Sequence, residues 1–222
     1  MRRLAGTLVL ASVLLPSPAA RAGASLLVDD AGTTPDGHCQ VESWLHLGAA
    51  GAAEASAVPA CAVGGVEYSL GGSVAATAST PAALAFGLKR TLRDVGDGDG
   101  TPGFAVSVGS AWTSRSGAPS GAVANLIASL PVAGLGAIHL NAGWSAARGR
   151  LPVPTSGVGL EHPLGSHWLL LAEGYAQRGA GPAWQAGLRR MLGNGVTTDL
   201  LVGTDPHGHW LTFGLNYSPG GG

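Results

Sequence analysis

Apolar residues alternate with small or polar residues along much of the chain, and this alternation limits the fold more than any other feature. In the clearest run, Phe104, Val106, Val108 and Trp112 fall on one side of an extended chain, and small residues fall on the other. Comparable runs lie in four other segments: 84–88, 136–144, 184–188 and 211–217. A period of two is typical of β-strands whose two faces meet different surroundings. The pattern predicts an all-β protein.

Two all-β architectures can carry such a pattern. A soluble sandwich buries its apolar face, whereas a transmembrane barrel turns that face to lipid and its polar face to the lumen. The charged residues in the middle of strands all have the parity opposite to the apolar residues: Glu42, Glu67, Lys89, Glu173, Arg189 and Asp199. A sandwich would place these charges outside. We therefore predict a transmembrane antiparallel up-and-down β-barrel of about twelve strands, with ten as the fallback because the first two strands are poorly patterned.

The connections between strands predict the orientation of this barrel. Turns at 131–134, 163–166 and 193–195, with a longer one at 94–103, fall on the periplasmic side. The connections at 114–120, 147–151, 178–181 and 205–207 fall outside. Arg90 and Arg190 have outward parity, but both lie at periplasmic strand ends, where a long cationic side chain can reach the lipid headgroups.

The first residues have the organisation of a secretory signal peptide. Arg2 and Arg3 precede an apolar stretch, and a small-residue cleavage site ends at Ala22. We therefore divide the chain into a signal peptide (1–22), a periplasmic N-terminal segment (23–38), an outer-membrane barrel (39–217) and a short tail (218–222). Asp29 and Asp30 lie either in a solvated tail or in the lumen, and the sequence leaves both alternatives open.

Export also determines how the two cysteines are interpreted. Cys39 and Cys61 would meet an oxidising compartment, so the sequence predicts a disulfide between them.

The composition excludes two further classes of protein. Only 11% of the residues are charged, whereas 45% are hydrophobic, which argues against a disordered chain. A net charge of −1 gives no reason to expect a nucleic-acid partner.

Inward parity selects a set of candidate lumen-lining residues. They are Glu42, Trp44, His46, Glu67, Lys89, His139, Asn141, Glu161, Glu173, Gln185, Arg189, Asp199 and Asn216. These side chains either fill the interior as a hydrogen-bonded plug or line a pore for a permeant. Glu173 and Arg189 are expected to pair, because their strands are neighbours in a meander.

Catalytic and metal-binding motifs are weak. The sequence contains no Gly-x-Ser-x-Gly elbow, so we expect no enzymatic activity, no catalytic residues and no cofactor. His207 and His209 are expected to be solvated in a loop rather than to bind a metal. The Asp94, Asp97 and Asp99 segment resembles a calcium loop but lacks the glutamate at the twelfth position, so a flexible turn is expected.

Four segments together resemble the phenol-degradation (MetA-pathway) family of small outer-membrane channels. They are 27–33, 37–44, 174–189 and 210–217, the last of which contains Trp210 and ends at Tyr217. The resemblance implies a barrel in the bacterial outer membrane that passively transports small, hydrophobic or aromatic molecules. Its partners would be outer-membrane lipid and the permeant. Two alternatives stay open: a sealed structural or interaction barrel, and a secreted sandwich that binds a ligand.

The C-terminal run resembles the insertion signal of outer-membrane proteins, because alternating apolar residues end on the aromatic Tyr217. The resemblance implies that the outer-membrane insertion machinery is a partner. In such signals the aromatic residue is commonly the last one, whereas here five residues follow it.

Overall fold

Twelve antiparallel strands form a single closed barrel in the computed structural model, which describes residues 25–76, 82–96, 100–114 and 117–219. The strands are β1 (Cys39–Gly48), β2 (Ala53–Val63), β3 (Val66–Ala75), β4 (Ala83–Arg93), β5 (Gly103–Thr113), β6 (Gly121–Val132), β7 (Gly136–Ala147), β8 (Val153–Pro163), β9 (Trp168–Gln177), β10 (Gly181–Gly193), β11 (Val196–Asp205) and β12 (Gly208–Tyr217). A single turn of 3₁₀ helix, Ala49–Gly51, lies between β1 and β2. The expected signal peptide lies outside the described residues. Within the described ranges, no helix has the length and apolar composition needed to cross a membrane.

Each strand pairs with its neighbours in sequence, and β1 pairs with β12 to close the barrel. The closing register places Val41 opposite Tyr217 and Gly48 opposite Trp210. The prediction of a twelve-strand up-and-down antiparallel barrel is confirmed, and the two-sheet sandwich is not formed. β1 and β2 are as regular as the other strands despite their weak pattern, because each has a ladder on both sides.

The connections lie at the two ends of the barrel in strict alternation. We call the end that holds Cys39 and Tyr217 the terminal end, and the other the opposite end. Two of the turns at the terminal end have two residues each, Gly64–Gly65 and Asn194–Gly195, and all four residues have positive φ. This is the turn geometry that matches the twist of paired strands and that favours Asn-Gly and Gly-Gly. The connection over 94–102 is the long one expected from the sequence.

The disulfide between Cys39 and Cys61 is present. The two residues lie directly opposite each other in the β1–β2 ladder at the terminal end. The disulfide therefore ties the first residue of the barrel to the end of the first hairpin.

Large apolar side chains are exposed over the outer surface of the barrel. Those near the middle of the strands are Leu45, Leu70, Phe86, Val108, Leu126, Leu140, Val158, Leu188, Leu200 and Phe213. Exposed aromatic residues lie nearer the two ends, with Trp144 and Trp184 toward the opposite end and Tyr68, Phe104, Trp168 and Tyr217 toward the terminal end. An apolar band between two aromatic girdles is the outer surface of a membrane barrel.

Candidate functional site: the barrel lumen and its N-terminal plug

Residues 25–34 lie inside the barrel, and we call them the plug segment. Val28 and Ala31 are only 2% and 1% exposed, although no strand of the sheet includes them. The plug segment belongs to the region for which a periplasmic position was expected. For Asp29 the sequence left open a solvated tail or the lumen, and the structure places this residue in the lumen.

The plug segment is held by side chains of the barrel wall. Glu173 of β9 accepts hydrogen bonds from the backbone N–H groups of Leu27, at 2.8 Å, and Val28, at 3.1 Å. Asn141 of β7 makes two bonds with Asp29, because its Oδ1 accepts from the Asp29 N–H and its Nδ2 donates to the Asp29 carbonyl, both at 2.8 Å. A buried backbone group without a partner is costly, so these wall residues make the buried position of the segment tolerable.

The contacts continue toward the terminal end. The Ala31 N–H donates to Ser129 Oγ at 2.8 Å, and Thr91 Oγ1 donates to the Ala31 carbonyl at the same distance. The Thr34 N–H donates to Glu67 Oε2 at 2.7 Å. Side chains of five wall residues, which come from five different strands, thus replace the backbone ladder that a strand would have.

Two glycines of β8 make room for the plug segment. A Cβ atom at Gly157 would lie 2.8 Å from Val28 Cγ2, and one at Gly159 would lie 3.4 Å from Val28 Cβ. The absence of side chains at these two wall positions therefore lets Val28 approach the β8 backbone.

Lys89 provides the positive charge beside the plug segment. Its Nζ lies 3.6 Å from Asp29 Oδ1 and 3.9 Å from Asp30 Oδ1. Burial raises the pKa of the Asp29 carboxyl above its usual value, and the Lys89 ammonium opposes that rise. The two aspartates differ in access, because Asp29 is buried while the Asp30 side chain is 56% exposed.

Arg189 forms the second charged cluster of the lumen. Its guanidinium donates to both carboxylate oxygens of Asp199, at 2.7 and 2.8 Å, and lies 3.8 Å from Glu161. Ser25 and Asn216 also donate to Asp199. The expected pair between Glu173 and Arg189 is wrong, because the β9–β10 register places Glu173 opposite Gln185 and Arg189 opposite Leu169.

The other candidate residues also point to the interior. Gln185 Nε2 donates to Glu173 at 2.7 Å and to the Ser25 carbonyl at 2.9 Å. His139 Nε2 lies 3.9 Å from Glu161, and its Nδ1 lies 2.8 Å from Ser129 Oγ. Trp44 is buried on β1, and Glu42, two residues before it, lies half-buried on the same face.

Several interior residues were not identified from the sequence. Leu171 and Leu201 are 1% and 0% exposed, and Trp210 donates to Gln185 Oε1 at 3.3 Å. Their parity is that of the inward charges, so the alternation alone could have identified them. Ser129 and Thr91 share this parity, but their hydrogen bonds to the plug segment could be recognised only in the structure.

A cavity of about 270 Å³ lies between the plug segment and the wall formed by β1–β6. Its lining includes the side chains of Asp29, Asp30, Glu42, Glu67 and Lys89, among small residues of the wall. The opposite side of the lumen, along β7–β11, makes most of the plug's hydrogen bonds. The lumen is therefore partly filled rather than empty.

Neither the histidine pair nor the aspartate segment forms a metal centre in the part of the chain that the structure describes. No group of three or more His, Cys, Asp or Glu residues is placed to hold a metal ion there. Asp205 instead accepts hydrogen bonds from the backbone N–H groups of His207 and Gly208 in the β11–β12 turn. Asp97 and Asp99 lie outside the described residues.

The barrel is similar in structure to a solved porin. The structure titled KdgM porin superposes with a TM-score of 0.66 at 10% identity, covering 81% of this chain and 98% of that one. A second, titled KdgM porin in complex with disordered oligogalacturonate, gives a TM-score of 0.63 with the same identity and coverage. At this identity the likeness shows the fold. No curated protein matches the sequence.

A family model covers nearly all of the chain. The match extends from residue 10 to residue 218, and so includes the plug segment and all twelve strands. It does not connect the chain with phenol degradation, and that resemblance stays a prediction. The chain belongs to the family described as Uncharacterised conserved protein UCP029691.

Proposed function

We propose that this protein is an outer-membrane channel for small molecules. The observation that carries the proposal is the sorting of side chains by the barrel wall. Apolar and aromatic residues cover the outer surface, while the charged residues in the middle of the strands face the lumen, where some of them line a cavity.

The outer surface supports a membrane location. Soluble monomers rarely expose a contiguous apolar patch larger than about 300–600 Å². Here exposed apolar side chains occur around the whole barrel. The strands have 10 to 13 residues, close to the length of about 9–11 residues that crosses a bilayer at a tilt. The signal peptide expected at 1–22 and the run ending at Tyr217 agree with export and with insertion by the outer-membrane machinery.

The lining supports hydrophilic permeants. The charged side chains around the cavity are four carboxylates and one ammonium, and small hydroxyl side chains lie among them. Such groups favour solutes that remain hydrated. One KdgM porin structure holds oligogalacturonate, a polyanionic sugar. The excess of carboxylates here makes such a polyanion a poor permeant for this chain.

Hydrophobic or aromatic permeants, which the phenol-degradation resemblance implies, are the second candidate. Trp44, Trp210, Leu171 and Leu201 make one side of the interior aromatic and apolar, although Leu171 and Leu201 are fully covered by their neighbours. The cavity itself lies on the other side, so we place this candidate second.

A sealed structural barrel is the alternative from another class. The plug segment favours it, because five of its backbone N–H groups are bonded to the wall. Neither role requires catalysis or a cofactor.

Single-channel recording of the refolded protein in a planar bilayer tests the proposal. Discrete conductance steps, with solute-dependent swelling of liposomes, are the expected result. A hydrophilic and an aromatic solute of equal size would rank the two permeant classes. Heat-modifiable migration on a gel shows that the barrel is folded, and folded, inserted protein that stays silent in both assays would leave the sealed barrel as the better function.

A further inference from the structure

The cavity beside the plug segment has an unbalanced set of charges. Four carboxyl groups line it, those of Asp29, Asp30, Glu42 and Glu67, and Lys89 is the one ammonium among the described lining residues. Lys89 lies within 4 Å of both aspartates of the plug segment, and Glu67 and Glu42 also interact electrostatically with its ammonium. One ammonium therefore faces four carboxyl groups in the lining of the cavity.

The buried carboxylate Glu67 of the cavity wall is bonded to neutral donors. Glu67 accepts from the Thr34 N–H at 2.7 Å, and Gln40 Nε2 lies 3.5 Å from the same oxygen. Neutral donors stabilise a carboxylate without cancelling its charge. Asp30 differs from Glu67 because more than half of its side chain is exposed.

Two buried polar atoms at the cavity have no hydrogen-bond partner. Thr34 and Asp29 are each 5% exposed and both line the cavity. Thr34 Oγ1 makes no hydrogen bond, and neither does Asp29 Oδ2. Buried polar groups are normally satisfied, so these two oxygens are sites that a ligand inside the cavity could contact.

The arrangement of the oxygens indicates the class of ligand. The carboxylates come from the plug segment and from two different strands, and no described group converges to chelate a metal ion. A cleft lined by one sign of charge concentrates the opposite ions by its field, and rings of Asp and Glu select cations in channels. Such a site attracts mobile cations without binding one of them tightly.

We infer that the cavity between the plug segment and β1–β6 is the selectivity site of the channel and that it favours small monovalent cations. This inference rests on the proposed channel function. The plug segment is then part of the permeation path, because Asp29 and Asp30 supply half of the carboxylates.

Reversal potentials in a KCl gradient test the inference, with K⁺ and Cl⁻ as the probes. We expect the unmodified protein to prefer K⁺. Asp30→Lys should lower the K⁺/Cl⁻ permeability ratio about tenfold or more, since the field of a charged cleft changes local ion concentrations by about 10–1,000-fold. Asp30→Asn should give an intermediate ratio, and it is the milder variant because the side chain is exposed. Glu161→Gln is the matched control, since this lumen carboxylate does not line the cavity.

The possible outcomes separate the two proposals. A cation preference that falls with Asp30→Asn and Asp30→Lys but not with Glu161→Gln supports the selectivity site. A conducting protein without cation preference, or with equal effects of Asp30→Asn and Glu161→Gln, overturns the inference and leaves the channel intact. Folded and inserted protein that never conducts overturns the channel function itself, and the selectivity site with it.

Discussion

Releasing the plug segment from Glu173 should expose Val28, and the size of the effect follows from the contacts. Glu173 accepts two backbone hydrogen bonds from the plug segment, through different carboxylate oxygens. In Glu173→Gln one oxygen becomes an amide nitrogen, so at least one of the two bonds is lost. A hydrogen bond to a charged group contributes about 1.5–3 kcal/mol, which corresponds to a rise of roughly ten- to 150-fold in the population of the released segment.

Thiol labelling measures that population. Both cysteines of the chain are in the disulfide, so Val28→Cys introduces a unique free thiol at a position that is 2% exposed. Its reaction with a membrane-impermeant maleimide should be slow in the otherwise unmodified protein and about ten- to 150-fold faster with Glu173→Gln. This ratio holds as long as the released plug segment returns to the lumen faster than the maleimide reacts. Leu151→Cys, at a position that is 87% exposed, gives the rate for an unprotected thiol.

The control is Glu161→Gln, which removes a lumen carboxylate whose described partners, His139 and Arg189, belong to the wall. It should leave the labelling of Val28→Cys unchanged. The reasoning is refuted if Val28→Cys reacts as fast as Leu151→Cys without any second change. It is also refuted if both glutamate variants accelerate labelling equally.

Three further predictions concern the wall. Leu140→Arg, at mid-height on the outer surface, should lower the free energy of unfolding in lipid by about 2–4 kcal/mol. Leu192→Arg, at a strand end, should lower it by only about 0–1 kcal/mol. Equal urea midpoints for the two variants would show that the outer face does not meet lipid. Arg189→Met should destabilise the barrel by about 3–5 kcal/mol because it leaves a buried carboxylate unpaired. Arg190→Met, next to it but facing outward over Trp168, should cost about 1 kcal/mol or less, and similar losses at the two positions would contradict the assigned faces. Reducing the disulfide, whose cysteines are 22 residues apart, should cost up to about 3 kcal/mol in the same titration, and no shift would mean that the ladder alone holds the first hairpin.

The fold could be predicted from the sequence because a barrel wall repeats one local rule. Successive side chains of a strand point to opposite faces, so the parity of Leu140 and Asn141 assigns one to lipid and the other to the lumen. The rule needs no knowledge of distant contacts, and it assigns a face even to the charges of a single strand. The count of twelve also followed from local turn signals.

Pairing across the lumen could not be predicted in the same way. Glu173 and Arg189 lie on adjacent strands and have opposite charges, which suggested an ion pair. The register of β9 and β10 separates them by four positions, and the register of β10 and β11 places Arg189 opposite Asp199 instead. Register depends on bulges and turn geometry along both strands, and these are not visible in the parity of either one.

The position of residues 25–34 was decided by the tertiary structure alone. The segment has no periodic pattern, and its partners Glu173, Asn141, Ser129 and Glu67 come from four strands spread over more than 100 residues of sequence. The barrel, its two faces and its disulfide could be inferred from the sequence, because alternation and cysteine chemistry are local. Only barrel closure brings the wall side chains together around residues 25–34, and that closure makes this segment part of the lumen.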